Sequence, residues 1–355
     1  MDRALRLAAR GLYTTTPNPR VGCVIVRDGE ILGQGFHERA GEPHAEIHAL
    51  QRAGARARGA TVYVTLEPCG HHGRTPPCVD ALIQAGVSRV VAAMQDPNPK
   101  VAGEGLQRLR AARIAVESGL LEEQARELNV GFVARMTRAR PWLRIKTASS
   151  LDGGTALRNG QSQWITGPAA RRDGHRWRAR SCAVMIGIGT LLADNPHLTV
   201  REVRTTRQPL RIVVDRQLEI PLGAHVLEGG HALIVTAQDR PEKVRQLERL
   251  GSEVVRLANP EGKVDLVALM HELARRELNE ILVESGGRLN GALLRAHVVD
   301  ELVVYLAPHL LGDTARGMFD LGELTALDQR VELTMREVRR VGNDLRVVAR
   351  LTRGG

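Results

Sequence analysis

Short apolar runs separated by turn residues recur along the chain, and they predict alternating strands and helices. Val21–Val26 is a compact apolar run that ends at Asp28-Gly29, a pair typical of a hairpin turn into Ile31–Phe36. Helices are predicted to begin near Pro43 and Pro77, because proline is favoured in the first helical turn. This alternation predicts an α/β layer domain in which helices cover a sheet. The predicted elements are a helix over 2–11, strands over 21–26, 31–36, 61–66 and 89–93, and helices from about residues 43, 77, 105 and 122.

A second α/β pattern follows a segment rich in arginine. Residues 135–141 read Arg-Met-Thr-Arg-Ala-Arg-Pro, and this concentration of charge ending in proline predicts a domain boundary. At 355 residues the chain exceeds the ~250 to 300 at which single cores stop growing, so two domains are expected, over residues 1–140 and 141–355. The strands predicted in the second part cover residues 142–148, 183–188, 211–214, 232–236, 280–284, 301–307 and 345–351.

Composition and charge narrow the class of protein. Hydrophobic residues make up 43% and no apolar run approaches the ~18 residues of a membrane span, so we expect no membrane partner. The first residues are typical of an amphipathic helix and not of a secretory signal, which favours a cytoplasmic location. A net charge of +10 raises nucleic acid as a partner, but aromatic residues are only 3% and the arginines are scattered. A small anionic molecule is the expected partner, with no nucleic acid.

The sharpest chemical signal is His44-Ala-Glu46, followed by Pro68-Cys69 and then Cys78. One imidazole and two thiolates with an open fourth position describe a catalytic zinc site. Zinc lowers the pKa of its bound water toward ~7, which allows attack on an amidine-like carbon. Glu46 would then carry the proton to the departing amine. The pattern therefore predicts a hydrolytic deaminase.

The spacing of His44 and Glu46 restricts where both can meet one ion. Residues two apart on a helix point roughly 200° apart around its axis, so the two side chains converge only beyond the helix start. Pro43 predicts such a start. Three other histidines remain open as alternative ligands or as structural partners: His48, His71 and His72. The other two cysteines, Cys23 and Cys182, are assigned to the cores.

The metal motif resembles that of the bifunctional riboflavin-biosynthesis deaminase-reductase family. In Pro-Cys-Gly-His-His-Gly-Arg-Thr-Pro-Pro-Cys eight residues separate the cysteines, as in that family, whereas cytidine and nucleic-acid deaminases usually have Pro-Cys-x-x-Cys. The resemblance implies a cytidine-deaminase-like α/β/α first domain, in which His44, Cys69 and Cys78 bind zinc and Glu46 donates the proton. It also implies that Asn18 and the loop from His71 to Pro76 line the pyrimidine phosphate site.

Two glycine-containing turns in the second part follow predicted strands. In residues 281–294 a strand runs into Gly286-Gly287 and a helix, which lets backbone N–H groups approach a phosphate. Residues 187–190, followed by Ala-Asp-Asn-Pro over 193–196, form a similar candidate. Neither is the G-x-G-x-x-G fingerprint, and plain tight connections explain both turns equally well.

The same family resemblance extends over the second part. Lys146-Thr-Ala-Ser-Ser-Leu-Asp-Gly, Ser162-Gln-Trp-Ile-Thr and Val-Glu-Ser-Gly-Gly are similar to its reductase half, which implies a dihydrofolate-reductase-like α/β fold that binds NADPH. The implied NADPH contacts are Ala148, Trp164, Thr190, Asp194, Arg216, Gly286, Gly287, Arg288, Leu289, Asn290, Gly291 and Ala292. The implied substrate contacts are Ser162, Arg178, Leu198, Arg201 and Glu284. Arg216 stands where the family can carry a small polar residue. Asp194, Glu284 and Lys146 are candidates for a catalytic acid.

The resemblance implies two successive reactions. The first domain would deaminate 2,5-diamino-6-ribosylamino-4(3H)-pyrimidinone 5′-phosphate with zinc, and the second would reduce the ribosyl group to ribityl with NADPH, in a homo-oligomer. A nucleic-acid base deaminase with an RNA-binding second domain is the rival enzyme, disfavoured by the cysteine spacing and the few aromatic residues. A zinc-stabilised regulator without activity is the rival outside enzymes.

Overall fold

A computed structural model describes residues 1–70 and 76–352 of the chain. The chain divides into two compact units, Met1–Ala139 and a second that begins at Arg140. Each unit is built on its own sheet. Among the described residues, none of the helices combines the length and the hydropathy needed to span a bilayer.

Over its described residues, 1–70 and 76–139, the first unit contains five strands and six α-helices. Its sheet has the order β2-β1-β3-β4-β5, in which β1 is antiparallel to both neighbours and β3, β4 and β5 are parallel. The strands are β1 (Gly22–Arg27), β2 (Glu30–Phe36), β3 (Thr61–Val64), β4 (Arg89–Ala92) and β5 (Ala115–Ser118). The helices are α1 (Asp2–Ala8), α2 (Ala45–Ala53), α3 (Cys78–Ala85), α4 (Glu104–Ala111), α5 (Glu122–Leu128) and α6 (Val130–Arg138).

Strand β1 shows why helices cover both faces of this sheet. Successive side chains of a strand point to opposite faces. Cys23 and Ile25 pack into the main core with the apolar sides of α2, α3 and α4. Val24, between them, packs instead with Ala4 and Leu7 of α1. The first unit is therefore an α/β/α sandwich.

The second unit contains a nine-stranded sheet with the order β11-β10-β9-β8-β12-β6-β13-β16-β15. Neighbouring strands are parallel from β11 to β13, while β16 and β15 add antiparallel pairs. Its strands are β6 (Trp142–Ser150), β7 (Gly154–Ala156), β8 (Ala183–Gly187), β9 (Leu210–Val214), β10 (Ala232–Thr236), β11 (Glu253–Arg256), β12 (Glu280–Val283), β13 (Glu301–Ala307), β14 (Arg316–Gly317), β15 (Leu333–Val341) and β16 (Asp344–Leu351). Its helices are α7 (Pro168–Arg180), α8 (Ile188–Asp194), α9 (Pro241–Arg249), α10 (Leu266–Arg275) and α11 (Gly287–Arg295).

The central strands of this sheet are buried on both faces. In β12, Ile281 and Val283 pack into one core with α10 and α11, and Leu282 packs into the opposite core. That opposite core includes Leu191 of α8 and Leu247 of α9. Because helices cover both faces, these strands are continuous apolar runs, which is why they were predictable from the sequence.

Several predicted boundaries are wrong. The helix predicted from Pro43 begins at Ala45, because His44 is extended (φ −72°, ψ 165°) and serves as the N-cap. Ile188 belongs to α8 and not to the preceding strand. Strand β15 was not predicted, since most of its residues are exposed and it lacks an apolar alternation.

Candidate functional site

His44, Cys69 and Cys78 converge in the first unit. The Nδ1 atom of His44 lies 3.2 Å from the Sγ atom of Cys78 and 3.6 Å from that of Cys69. All three candidate ligand atoms lie within 4.8 Å of one another. One imidazole nitrogen and two thiol sulfurs at these separations fit a zinc ion, which prefers this donor set and leaves a fourth position for solvent or substrate.

The starts of two helices position these ligands. His44 is the N-cap of α2, and Cys78 is the first residue of α3, after Pro77. The backbone N–H of Cys78 donates to the Sγ of Cys69 at 3.3 Å. Helix N-termini carry partial positive charge and stabilise anions, so this arrangement favours a thiolate on Cys69, which accepts this bond.

Glu46 lies on the first turn of α2, buried beside the same cluster. Burial raises the pKa of its carboxyl to about 7, and its side chain hydrogen-bonds to Cys78. The hydrogen bond from Cys78 lowers the pKa of Cys69 to about 4 and raises that of the Cys78 thiol far above its usual range. The site thus combines an easily formed thiolate with a carboxyl that exchanges a proton near neutral pH.

Asn18 is linked to this cluster through His37, a residue that the sequence did not single out. The Nδ2 atom of Asn18 lies 3.1 Å from the Nε2 atom of His37. The imidazole of His37 meets that of His44 edge to face, with centroids 5.3 Å apart. His37 directly follows β2, and its Nδ1 lies 3.2 Å from the backbone oxygen of Pro43, just before α2; no local motif marks it.

Of the three other histidines near the motif, His48, His71 and His72, the structure describes only His48. His48 lies one turn after His44 on α2, and its buried Nε2 has no hydrogen-bond partner among the described residues. His48 is also not among the three residues whose ligand atoms cluster. His71 and His72, with the rest of the predicted loop up to residue 75, lie outside the described residues.

Glu67 supports the segment that carries Cys69, and it was also missed. Its buried carboxylate accepts hydrogen bonds from the backbone N–H groups of Asp96 (3.0 Å), Gly103 (2.9 Å) and Leu106 (3.2 Å). These bonds tie the segment after β3 to the start of α4. The signal in the sequence was a carboxylate just before Pro68-Cys69, but its partners are distant along the chain.

In the second unit, predicted site residues gather at one edge of the sheet. The strands β6, β8, β9 and β12 are parallel, so their carboxyl ends lie at the same edge. In open α/β sheets ligands bind at this edge. Ala148 is near the end of β6, Thr190 follows β8, Arg216 follows β9, and Glu284 follows β12.

A cluster of charged side chains surrounds Glu284. Arg178 donates to both of its carboxylate oxygens, at 2.6 Å from Nε and 3.0 Å from Nη2, and the Nζ of Lys146 lies 3.9 Å away. Burial disfavours the carboxylate, yet the Arg178 and Lys146 cations outweigh burial and lower the pKa of Glu284 to about 2. Burial and the nearby Arg178 and Arg201 cations lower the pKa of His175 to about 4. His175 was not predicted.

Thr190 and the glycine turn share a hydrogen-bond network through Ser285. The hydroxyls of Thr190 and Ser285 lie 3.3 Å apart, and the N–H of Gly286 donates to the Thr190 Oγ1 at 3.2 Å. The N–H of Gly187 donates to the Ser285 Oγ at 3.0 Å. Two helix starts, those of α8 and α11, therefore meet at one place, a geometry suited to a phosphate. Ser285 belongs to the Val-Glu-Ser-Gly-Gly motif, but the sequence assigned it no role.

The remaining predicted residues are more dispersed. Arg201 donates through its backbone N–H to the Nδ1 of His175 at 3.3 Å, and Leu198 is buried three residues before it with φ 56°. Trp164 is 69% exposed, with the Arg171 guanidinium 4.6 Å from its ring centroid. Asp194 ends α8 and is exposed, and Ser162 is half-buried before α7.

Two further predicted NADPH contacts have backbone partners in the structure. Arg216 donates through Nε to the backbone oxygen of Gly262 at 2.9 Å. The Nδ2 of Asn290, on α11, donates at 3.0 Å to the backbone oxygens of both Ser285 and Met318. Asn290 thereby fixes the glycine turn against the segment around Met318.

Family models match both units of the chain. The RibD C-terminal domain matches residues 141–347, and the cytidine and deoxycytidylate deaminase zinc-binding region matches residues 1–94. The riboflavin biosynthesis protein RibD of Escherichia coli is 51% identical over 97% of this chain and 96% of its own length. That of Haemophilus influenzae is 46% identical over 98% and 95%.

Solved structures of related proteins resemble this chain over nearly its full length. RibD of Acinetobacter baumannii superposes with a TM-score of 0.93 at 43% identity, covering 99% of this chain and 98% of that one. The diaminohydroxyphosphoribosylaminopyrimidine deaminase/5-amino-6-(5-phosphoribosylamino)uracil reductase of Thermotoga maritima has a TM-score of 0.87 at 34% identity, covering 99% and 97%. The cytidine-deaminase-like and dihydrofolate-reductase-like folds expected from the sequence are confirmed.

Proposed function

The chain belongs to the RibD family of bifunctional deaminase-reductases of riboflavin biosynthesis, and we propose which residues carry each of its two activities. Deamination falls to the first unit, within residues 1–140, and reduction to the second, within 141–355. The substrate of the first step is 2,5-diamino-6-ribosylamino-4(3H)-pyrimidinone 5′-phosphate. The second step converts the ribosyl group of the product to ribityl. The observation that carries the proposal is the convergence of His44, Cys69 and Cys78 within 4.8 Å.

Zinc is the cofactor of the deaminase half, and His44, Cys69 and Cys78 would hold it. When bound, it supplies a Lewis acid that activates water for attack on the carbon bearing the 2-amino group. Glu46 takes up the proton that water loses and delivers it to the departing amine, so that ammonia leaves and a carbonyl remains. A pKa of about 7, raised by burial, lets the Glu46 carboxyl perform both transfers near neutral pH. Asn18 and His71 would orient the substrate.

NADPH is the cofactor of the reductase half and supplies the hydride when bound. We assign its phosphates to the two converging helix starts, where Thr190 and the N–H of Gly286 lie 3.2 Å apart. The other residues proposed to contact it are Ala148, Trp164, Asp194, Arg216, Gly287, Arg288, Leu289, Asn290, Gly291 and Ala292.

The arginines near Glu284 would bind the substrate phosphate in the reductase half. Arg201 is exposed and free to contribute its guanidinium, while Arg178 is oriented by Glu284. Ser162 and Leu198 complete the proposed substrate contacts. Lys146 lies mostly buried at the end of the same cluster, and burial lowers its pKa, which makes it a better proton donor than an exposed lysine. It is our candidate for the acid.

We further propose that the enzyme acts on this small molecule as a cytoplasmic homo-oligomer and binds no nucleic acid. A free-thiol zinc site needs a reducing compartment. Met335 and Val338 are 62% and 60% exposed on the edge strand β15, a surface that a second copy would cover. Light scattering, cell fractionation and an RNA-binding assay at physiological salt test these three points.

The two activities are tested by following them separately. The purified protein is given the diaminopyrimidinone phosphate, and ammonia release and NADPH oxidation are recorded together with zinc content. We expect one ammonia released and one NADPH consumed per substrate, and loss of ammonia release when zinc is chelated. A pre-deaminated substrate should restore NADPH oxidation to the chelated enzyme. Ammonia release without NADPH oxidation would refute the reductase assignment alone.

A further inference from the structure

The second unit holds another group of metal-ligating side chains, none of which is assigned to either reaction. His197, His225 and Glu228 place their ligand atoms within 4.8 Å of one another. The Nδ1 of His197 lies 3.4 Å from one Glu228 carboxylate oxygen, and the Nε2 of His225 lies 3.9 Å from the other. The two imidazole rings are stacked, with centroids 4.3 Å apart and planes 2° from parallel. We propose that these residues form a second binding site, for a divalent first-row transition metal.

The donor set selects the class of ion. Two imidazole nitrogens and one carboxylate oxygen are ligands that zinc, cobalt, nickel and copper accept, whereas magnesium and calcium require oxygen donors. The three side chains are 43%, 41% and 60% exposed, so water has access to the remaining coordination positions. The site therefore fits an exchangeable ion, in contrast to the more buried cysteine cluster.

The hydrogen bonds around His225 orient it for this role. Its Nδ1 lies 2.8 Å from the backbone oxygen of Asn195, which leaves Nε2 to face Glu228. Its backbone N–H also donates to the Asn195 Oδ1 at 2.9 Å. Metal-binding histidines usually donate their second ring N–H to a carbonyl or carboxylate, which fixes the tautomer and the ring direction. That second contact is already made here.

The backbone beneath the ligands is also held in place. Arg211 donates to the backbone oxygens of Glu228, at 2.8 Å, and of Gly230, so these contacts of its guanidinium are to the backbone and not to the carboxylate of Glu228. Val226, between His225 and Glu228, is fully buried, and so is Leu198, next to His197. The ligands thus extend from two anchored segments, and a bound ion would join residues 195–198 to residues 225–228.

Equilibrium dialysis against cobalt(II) chloride tests the site, using zinc-loaded protein without a polyhistidine tag. We expect one cobalt per chain beyond the zinc already bound, with weak visible absorption and without the intense near-ultraviolet band of cobalt bound to thiolate. His225→Ala and Glu228→Gln should each weaken binding by at least about tenfold. His271→Ala removes an exposed histidine of α10 and is the matched control, which should leave binding unchanged.

A second readout is thermal. Binding to the folded state raises the Tm, so zinc added beyond one equivalent should raise the Tm of the wild type and of His271→Ala, but not that of His225→Ala. The proposal is overturned if no additional cobalt binds, if it binds only with the thiolate band, or if His225→Ala binds it as tightly as the wild type. None of these outcomes bears on the two proposed enzyme activities.

Discussion

Arg178 and Glu284 form a two-point ion pair, in which Nε and Nη2 of the guanidinium donate to the two carboxylate oxygens at 2.6 Å and 3.0 Å. Arg178 also donates to the backbone oxygen of Thr199 at 3.0 Å. The pair therefore connects α7, the end of β12 and the segment that leads to Arg201. The carboxylate of Glu284 therefore orients Arg178, one of the two arginines that we assign to the substrate phosphate.

Replacement of Glu284 by glutamine should disable the reductase and destabilise the second unit. The amide keeps the shape but leaves Arg178 and Lys146 without a compensating charge in a mostly buried place. Removing one partner of a buried ion pair typically costs about 3 kcal/mol, which should appear in chemical denaturation. NADPH oxidation should fall while ammonia release is retained. Glu248→Gln, on the exposed side of α9, is the control, and equal NADPH oxidation in both variants would contradict the assignment.

His175 should make the stability of the second unit depend on pH in the mildly acidic range. Its pKa is about 4 in the fold, below the ordinary 6.5, because burial and the Arg178 and Arg201 cations disfavour its charged form. A depressed pKa of a base stabilises the fold above pH 6.5, and this contribution is lost as the pH falls toward 4. We expect a loss on the order of 2 kcal/mol over that range.

The variant His175→Gln should remove this pH dependence. Denaturant unfolding at pH 7 and pH 4.5 would then show a smaller difference than in the wild type. His271→Gln, at an exposed position of α10, should behave like the wild type. An unchanged difference in His175→Gln would show that folding does not lower the pKa of His175, which its hydrogen bond from the N–H of Arg201 argues against.

The sequence could predict those residues that a local pattern marks, either an apolar run or an unusual set of metal-ligating residue types. The central strands of the second unit were predictable because both faces are buried. The convergence of His44, Cys69 and Cys78 was predictable because their residue types and spacing are unusual. His37 was not, because no residue-type motif marks it, and His175 was not, because it meets Arg201 only through packing of separate segments. Strand β15 was not predicted because it has no buried apolar face and is defined by its pairing with β16.

Replacement of Glu46 by glutamine should separate metal binding from deamination. The carboxyl is buried on the first turn of α2 and is not one of the three clustered ligand atoms, so zinc should remain bound. Ammonia release should fall by about 10² to 10⁴ fold, the usual contribution of a positioned proton-transfer group. Zinc content and ammonia are measured on the same sample. Undiminished ammonia release would contradict the proton-shuttle role, and no ammonia release even from the wild type would favour a zinc-stabilised regulator.

Gly105 should prove essential to the zinc site although it is not a ligand. A Cβ atom built on Gly105 would lie 2.0 Å from the backbone oxygen of Pro68 and 3.3 Å from the Cγ of Glu67. Both contacts involve the segment that carries Cys69, and that segment is already tied to the start of α4 by Glu67. An alanine can therefore be accommodated only if Pro68 and Cys69 move away from α4.

We expect Gly105→Ala to lower zinc occupancy and ammonia release together, with a stability loss of about 1 to 3 kcal/mol in the first unit, as for other overpacked positions. NADPH oxidation with a pre-deaminated substrate should be unchanged, because the second unit has its own sheet and core. Gln107→Ala lies on the exposed face of the same helix and should retain full zinc. If Gly105→Ala also retained full zinc and activity, the position of Cys69 would not depend on close packing between Pro68 and α4. The zinc geometry would then have to be fixed by the two helix starts alone.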